Sequence, residues 1–180
     1  VGFRGKSACD MLSGLADHVI DKELGSTLFS DPGRPIHKNQ GQINASDFAR
    51  IKAQLQSILD DDTLVADFAG SYLSKTKCQL DLQALEDPLD EADLLAKLKT
   101  QPLVRTGGLR CFYVDATVGK GVCYVDGERH AFGAKAQAAV IAVCDLDVVS
   151  HTQLRTGLKT PAFVAALTQW VNAGYWYFAD

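Results

Sequence analysis

The feature that most limits what this chain can become is a change of texture at Gln101-Pro102. Before it, apolar residues recur three and four apart, the period of amphipathic helices. After it they gather into short β-branched and aromatic runs separated by glycines, the mark of short strands and turns. One fold class accommodates both halves: α+β, with a helical region over residues 1–100 and a second domain over 101–180.

The first helical segment carries its own start signal. Ser7 with Asp10 three residues on has the form of a capping box, Asp standing in for the usual Glu. Met11, Leu12, Leu15, Ala16, Val19, Ile20 and Leu24 follow at helical spacing. Leu12 and Val19 fall at the centre of the stripe, with Asp10, Asp17 and Asp21 opposite. Gly25 is the expected stop. Residues 26–44, with Asp31-Pro32-Gly33 and Pro35, read as an irregular loop. Ser46 is the expected cap of a second helix with Phe48, Ile51, Leu55, Ile58 and Leu59 on one face. Asp62 is the expected cap of a third, carrying Leu64, Val65, Phe68, Ala69, Tyr72 and Leu73. Residues 76–88 read as extended and 90–99 as a short fourth helix. Helices so few and short make a thin core, which favours docking against something else.

Beyond Pro102 the expected strands are 103–106, 109–114, 122–125 and 128–132. Gly107-Gly108 and Asp126-Gly127 are the candidate hairpin turns. Three helices follow: 136–144, a short one opened by Ser150 with Gln153, and 163–173, opened by Thr160 with Pro161 at its first position. Gly174 ends the last, and Tyr175-Trp176-Tyr177-Phe178 closes the chain as a strand. A small antiparallel sheet with three short helices predicts a winged-helix-like domain.

Charge divides as texture does. Residues 1–100 hold 11 Lys/Arg against 16 Asp/Glu, and residues 101–180 hold 7 against 6. The net charge of −4 argues against a general nucleic-acid-binding surface. The five cysteines, Cys9, Cys78, Cys111, Cys123 and Cys144, never form a CxxC pair, which suits free thiols in a reducing compartment. No apolar run reaches membrane-spanning length. Val1-Gly2-Phe3-Arg4 reads like the end of a strand, so residues 1–5 are expected to be the remnant of one belonging to a preceding domain.

Catalytic constellations are sparse. No HxD or HxE pair with a distant His can be drawn from His18, His37, His130 and His151, so no two-His-one-carboxylate iron site is expected. Cys111, Cys123 and His130 could meet across a sheet as zinc ligands, but strand cysteines are more often simply buried. Ser150 and His151 are adjacent, poor geometry for a nucleophile and its base, and no GxSxG elbow exists. Gly107-Gly108 and Gly119-Lys120-Gly121 match neither a phosphate loop nor a dinucleotide fingerprint. A winged helix raises the question of DNA, yet the expected reading helix from Pro161 to Ala173 holds no Lys or Arg, and phosphate contacts dominate such affinity. Catalytic, cofactor-binding and metal residues are therefore expected to be absent, and nucleic acid and membrane are not expected partners.

Several strings, in order, resemble one family. Val1-Gly2-Phe3-Arg4 followed by Leu12-Ser13-Gly14-Leu15-Ala16-Asp17 is similar to the segment after the catalytic barrel of bacterial JmjC/cupin-type ribosomal oxygenases. Gln79-Leu80-Asp81-Leu82 resembles that family's linker, residues 103–110 the opening of its winged-helix domain, and residues 171–178 its C-terminus. One departure is local: the family commonly continues Gly-Phe-Arg with Ala-Pro, where this chain has Gly5-Lys6. The resemblance implies a C-terminal half without the barrel, from an Fe(II)- and 2-oxoglutarate-dependent dioxygenase that hydroxylates a ribosomal protein in the cytoplasm. It implies a homodimer paired through the first helix, at Met11, Leu12, Leu15, Ala16, Val19 and Ile20. The iron and 2-oxoglutarate would belong to the missing barrel, and this chain would be inactive alone. The other reading is a free-standing helical and winged-helix interaction module, with nucleic acid as one partner.

Overall fold

Local signals built the helices. In the computed structural model, which describes residues 5, 7–25, 28, 41–76 and 80–179, Ser7 caps helix α1 (Ala8–Asp21). Its hydroxyl accepts from the Asp10 amide at 3.1 Å while the Asp10 carboxylate takes the Ser7 amide at 2.9 Å, closing the expected box. The stop comes earlier than Gly25. Glu23 adopts a left-handed conformation, φ 54°, and the Leu24 amide donates to the Val19 carbonyl at 2.9 Å. That bond, with Glu23 N–H on the Ile20 carbonyl, closes the last turn as a Schellman motif.

Two other caps also lie one or two residues from their expected places. Asn44, not Ser46, caps α2 (Ala45–Leu59), its side chain accepting from the Ser46 and Asp47 amides. Asp61, not Asp62, caps α3 (Asp62–Ser74) by accepting from the Thr63 and Leu64 amides. Both follow from reach, since a cap must stand just outside the helix to meet the second and third amides. Asp90 caps α4 (Glu91–Leu98), the short helix expected over 90–99. The expected strand end at residues 1–4, most of the loop at 26–40 with His37, and Cys78 and Gln79 lie outside the described residues.

The remaining elements are β1 (Leu103–Arg105), β2 (Cys111–Tyr113), β3 (Val122–Val125) and β4 (Glu128–Ala131), then α5 (Gln137–Asp145), β5 (Val148–Val149), α6 (His151–Leu154), α7 (Pro161–Asn172) and β6 (Trp176–Phe178). Short 3-10 turns at Ala134–Ala136 and Gly157–Lys159 precede α5 and α7. Strands form two antiparallel three-stranded sheets, ordered β5-β1-β6 and β2-β3-β4. Asp126-Gly127 makes the expected hairpin between β3 and β4, both residues at positive φ. Gly107-Gly108 does not. It turns the chain, with Leu109 N–H on the Thr106 carbonyl, but β1 and β2 belong to different sheets, and β1 pairs instead with the distant β5 and β6. A turn signal reports a local bend, whereas strand partners are chosen by which faces can be buried.

Two compact units result, Val1–Phe68 and Ala69–Asp180. In the first, the buried described apolar residues are Leu15, Val19 and Leu64, flanked by Ile58 and Phe68. The second holds a continuous core that includes Leu94 and Leu98 of α4, most of α5, and Phe163, Leu167 and Trp170 of α7. Phe132, Phe163, Trp170 and Trp176 meet there at ring separations of 5.1–6.4 Å. Arg105 ties β1 to the end of α5, donating to the Cys144 carbonyl at 2.8 Å and to Asp147 at 2.5 Å. Among the described residues, no helix is long and apolar enough to cross a membrane.

Candidate functional site

The stripe on α1 divides when the chain folds. Leu15 and Val19 are buried against Leu64 within their own unit. Met11, Leu12 and Ile20 are 45%, 60% and 70% exposed, and Ala16 is also exposed. Leu12 lies two turns before Val19 on the same face, where the cover ends. His18 is engaged within the unit, its Nε2 3.4 Å from Asp67, and Lys22 reaches the same carboxylate at 3.7 Å.

Helix α2 carries a larger uncovered face. Phe48, Ile51, Leu55 and Leu59 follow one another at three- and four-residue steps and are all exposed, while Asp47 is buried. Periodicity marks a face that needs cover without saying whether its own chain supplies it. Exposed apolar residues in such a row on a small unit mark an interaction surface.

The possible metal ligands of the second unit are placed by the sheet. Cys123 pairs across the strands with His130, and Cys111 lies two positions along on the neighbouring strand. His130 is held edge-on against Trp170 at 5.0 Å, and burial lowers its pKa. Burial pushes the Cys111 thiol up to about 12, and the Cys144 thiol also rises, first through its hydrogen bond with Cys123 and then through burial. Among the described residues, no three His, Cys, Asp or Glu side chains are grouped to hold a metal. Thiols raised this far are poor nucleophiles. Iodoacetamide on the native chain should therefore label exposed Cys9 while sparing Cys111, Cys123 and Cys144 until denaturant is added. Mass spectrometry of the peptides checks this, and fast native labelling of Cys111 would refute the packing.

Ser150 and His151 form no dyad, because the Ser150 hydroxyl donates to Gln153 Oε1 at 2.8 Å in the capping box of α6.

Helix α7, the expected reader of a winged helix, is largely interior. Phe163, Val164, Ala166, Leu167, Thr168, Trp170 and Val171 are buried. A strap formed by residues 80–90 is tied to its C-terminal end. Asn172 accepts from the Leu89 amide and donates to the Leu89 carbonyl, both at 2.9 Å, and its own carbonyl takes the Leu85 amide at 3.0 Å. The strap was legible as extended chain, but its anchor on Asn172, some 83 residues away, left no local signal. Between strap and helix end lies an open groove of about 740 Å³, lined in part by Asp81, Leu85, Glu86, Trp176 and Tyr177.

Comparison with known proteins agrees with this architecture. The family model described as "ROXA-like winged helix" matches residues 57–177. The Escherichia coli ribosomal protein uL16 3-hydroxylase is 27% identical over 179 residues, covering 99% of this chain and 46% of that protein. The crystal structure of Escherichia coli ribosomal oxygenase YcfD superposes with a TM-score of 0.88 at 26% identity, over 99% of this chain and 48% of that one. A structure of YcfD in complex with cobalt and 2-oxoglutarate gives 0.88 at 26% identity, over 100% and 48%. This chain thus spans about half the length of the relatives it matches.

Proposed function

The chain belongs to the ROXA-like winged-helix family, and on that premise we propose that it is the non-catalytic C-terminal portion of a cytoplasmic Fe(II)- and 2-oxoglutarate-dependent ribosomal oxygenase. Its work there is to pair two subunits and to support a catalytic barrel that acts on a ribosomal protein. The observation that carries this reading is the span of the likeness: it runs over nearly the whole chain but reaches only about half of each relative.

The described residues do not fit the cofactor. A 2-oxoglutarate oxygenase holds iron on two histidines and a carboxylate with open positions. His18 lies beside Asp67, His130 is packed against Trp170 and His151 opens a four-residue helix, and among the described residues no three such side chains are grouped. In this reading the iron and 2-oxoglutarate belong to the barrel. Pairing is assigned to the first unit, where the uncovered side chains of α1 and α2 offer apolar surface to a second copy.

Nucleic-acid reading through α7 has little support, since that helix is buried and strapped and contains no Lys or Arg.

Supplied with Fe(II) and 2-oxoglutarate, the chain alone should release no succinate above the background of metal and buffer. Turnover that survives repeated purification and is abolished by a chelator would overturn the reading.

A further inference from the structure

Strand β4 is seated on the second unit by one inward side chain. It is an edge of the β2-β3-β4 sheet and pairs with β3 on one side only. Along Glu128–Ala131 the burial pattern leaves His130 as the single residue that is not exposed. Strand β3 beside it is buried at every position, Val122–Val125. A short edge strand stays in place through its ladder bonds and through what its inward side chains touch. Here that side chain is titratable.

The His130 ring is set among aromatic rings. It stands edge-on to Trp170 of α7 at 5.0 Å and lies parallel to Phe132 at 6.2 Å. Its Nε2 is buried and has no hydrogen-bond partner. An imidazolium donates from both nitrogens, so charging this ring leaves a buried donor unpaired. Few charges could meet it. On its own strand Glu128 Oε2 stands 4.0 Å from Nε2, beyond hydrogen-bond reach, on a side chain that is 81% exposed. From β3 the cross-strand neighbour is Cys123. Helix α7 contains no Asp, Glu, Lys, Arg, His, Cys or Tyr. Burial therefore lowers the His130 pKa, and the Glu128 carboxylate opposes that shift without reversing it.

We propose that His130 is an acid-sensitive latch on the β3–β4 hairpin. Neutral, it seats β4 against α7; charged, it leaves the aromatic cluster and lets β4 lift from β3. A released imidazole takes its proton near the ordinary value of about 6.5, and the seated one takes it only at lower pH. The latch is thus shut above about pH 6.5. Each further unit of acid favours the open form by up to about tenfold, until the seated ring is itself protonated. Opening uncovers the edge of β3, a row of unpaired backbone groups beside four buried residues, which is a surface for strand addition. The latch goes beyond the subunit-pairing role and rests on the second unit alone, so a monomeric chain that opens in acid leaves it standing.

Two measurements on the full chain test this. In a proton NMR titration of its four histidines, the signal missing from His130→Phe should titrate below about 6.5. Hydrogen exchange read by mass spectrometry, corrected for the intrinsic effect of pH, should show the peptide over 128–132 losing protection at least about threefold between about pH 7.5 and about pH 5.5. Peptides of α7 should show no matching loss. His130→Phe, which keeps an aromatic ring without a titratable nitrogen, should abolish the effect. Glu128→Gln should enlarge it, because the seated cation then loses its nearest counter-charge. That exposed substitution and the titration of the unmodified chain still decide the matter if His130→Phe does not fold. A His130 pKa at or above about 6.5 would mean that Trp170 or Glu128 holds the cation in its seat, and it overturns the proposal. So does an undiminished acid loss in His130→Phe, or a loss shared equally by α7.

Discussion

Leu12→Arg and, separately, Leu55→Arg should each turn a dimeric chain into a monomer without loss of helix. Both side chains are about 60% exposed within their own unit, so neither substitution opens a cavity or buries a charge in the isolated chain. In a two-fold pair each change counts twice, and it sets two guanidinium groups into an apolar contact with no carboxylate to receive them. A cost of several kcal/mol per interface follows, which raises the dissociation constant at least about a hundredfold. Light scattering should report twice the chain mass for the parent at high micromolar concentration and one chain mass for the variants, with unchanged circular dichroism at 222 nm. A monomeric parent ends the pairing proposal. Dimeric variants would mean that the stripes of α1 and α2 face something else.

Gly174→Ala should lower the thermal midpoint of the second unit by on the order of 10–20 °C, from a loss of about 3 kcal/mol. Two costs combine. Gly174 sits at φ +81°, where a side chain costs about 1–2 kcal/mol, and its new methyl would stand 2.5 Å from the Gln83 carbonyl oxygen. That oxygen is backbone, in a strap fixed by two hydrogen bonds to the Asn172 side chain, so it cannot swing aside. Relief means detaching strap from helix end, which removes one wall of the groove as well. Gly108→Ala is the comparison: φ is +86°, but the added methyl meets only a Leu80 methyl at 3.3 Å. It should lose about half as much, the conformational part alone. Equal losses would show that the strap is not held against Gly174.

Much of the site's supporting structure was legible before folding, because the signals were local. Ser7 with Asp10 and Ser150 with Gln153 close their boxes within three residues, and Asp126-Gly127 makes its turn with only its neighbours' help. The caps expected at Ser46 and Asp62 lie two residues and one residue earlier, because Asn44 and Asp61 are equally good acceptors that stand just outside the helix. The strings that resemble ribosomal oxygenases were legible for the same reason, being contiguous.

The sequence by itself determined most of what each segment is: which stretches are helical, where most strands and turns fall, and that each helix has a face needing cover, while the two-residue β5 carried no signal of its own. Only the tertiary structure decided what covers each face. Leu15 and Val19 went into a private core while Leu12 and the α2 row stayed open. Strand β1 passed over its neighbour β2 for partners more than forty and seventy residues away, and a strap turned the end of the expected reading helix into the wall of an acidic groove. The physical reason is that hydrophobic burial has magnitude but no direction along the chain. A residue pattern therefore specifies that surface must leave water, and only the competition among all faces for the same interior settles which partner takes it there.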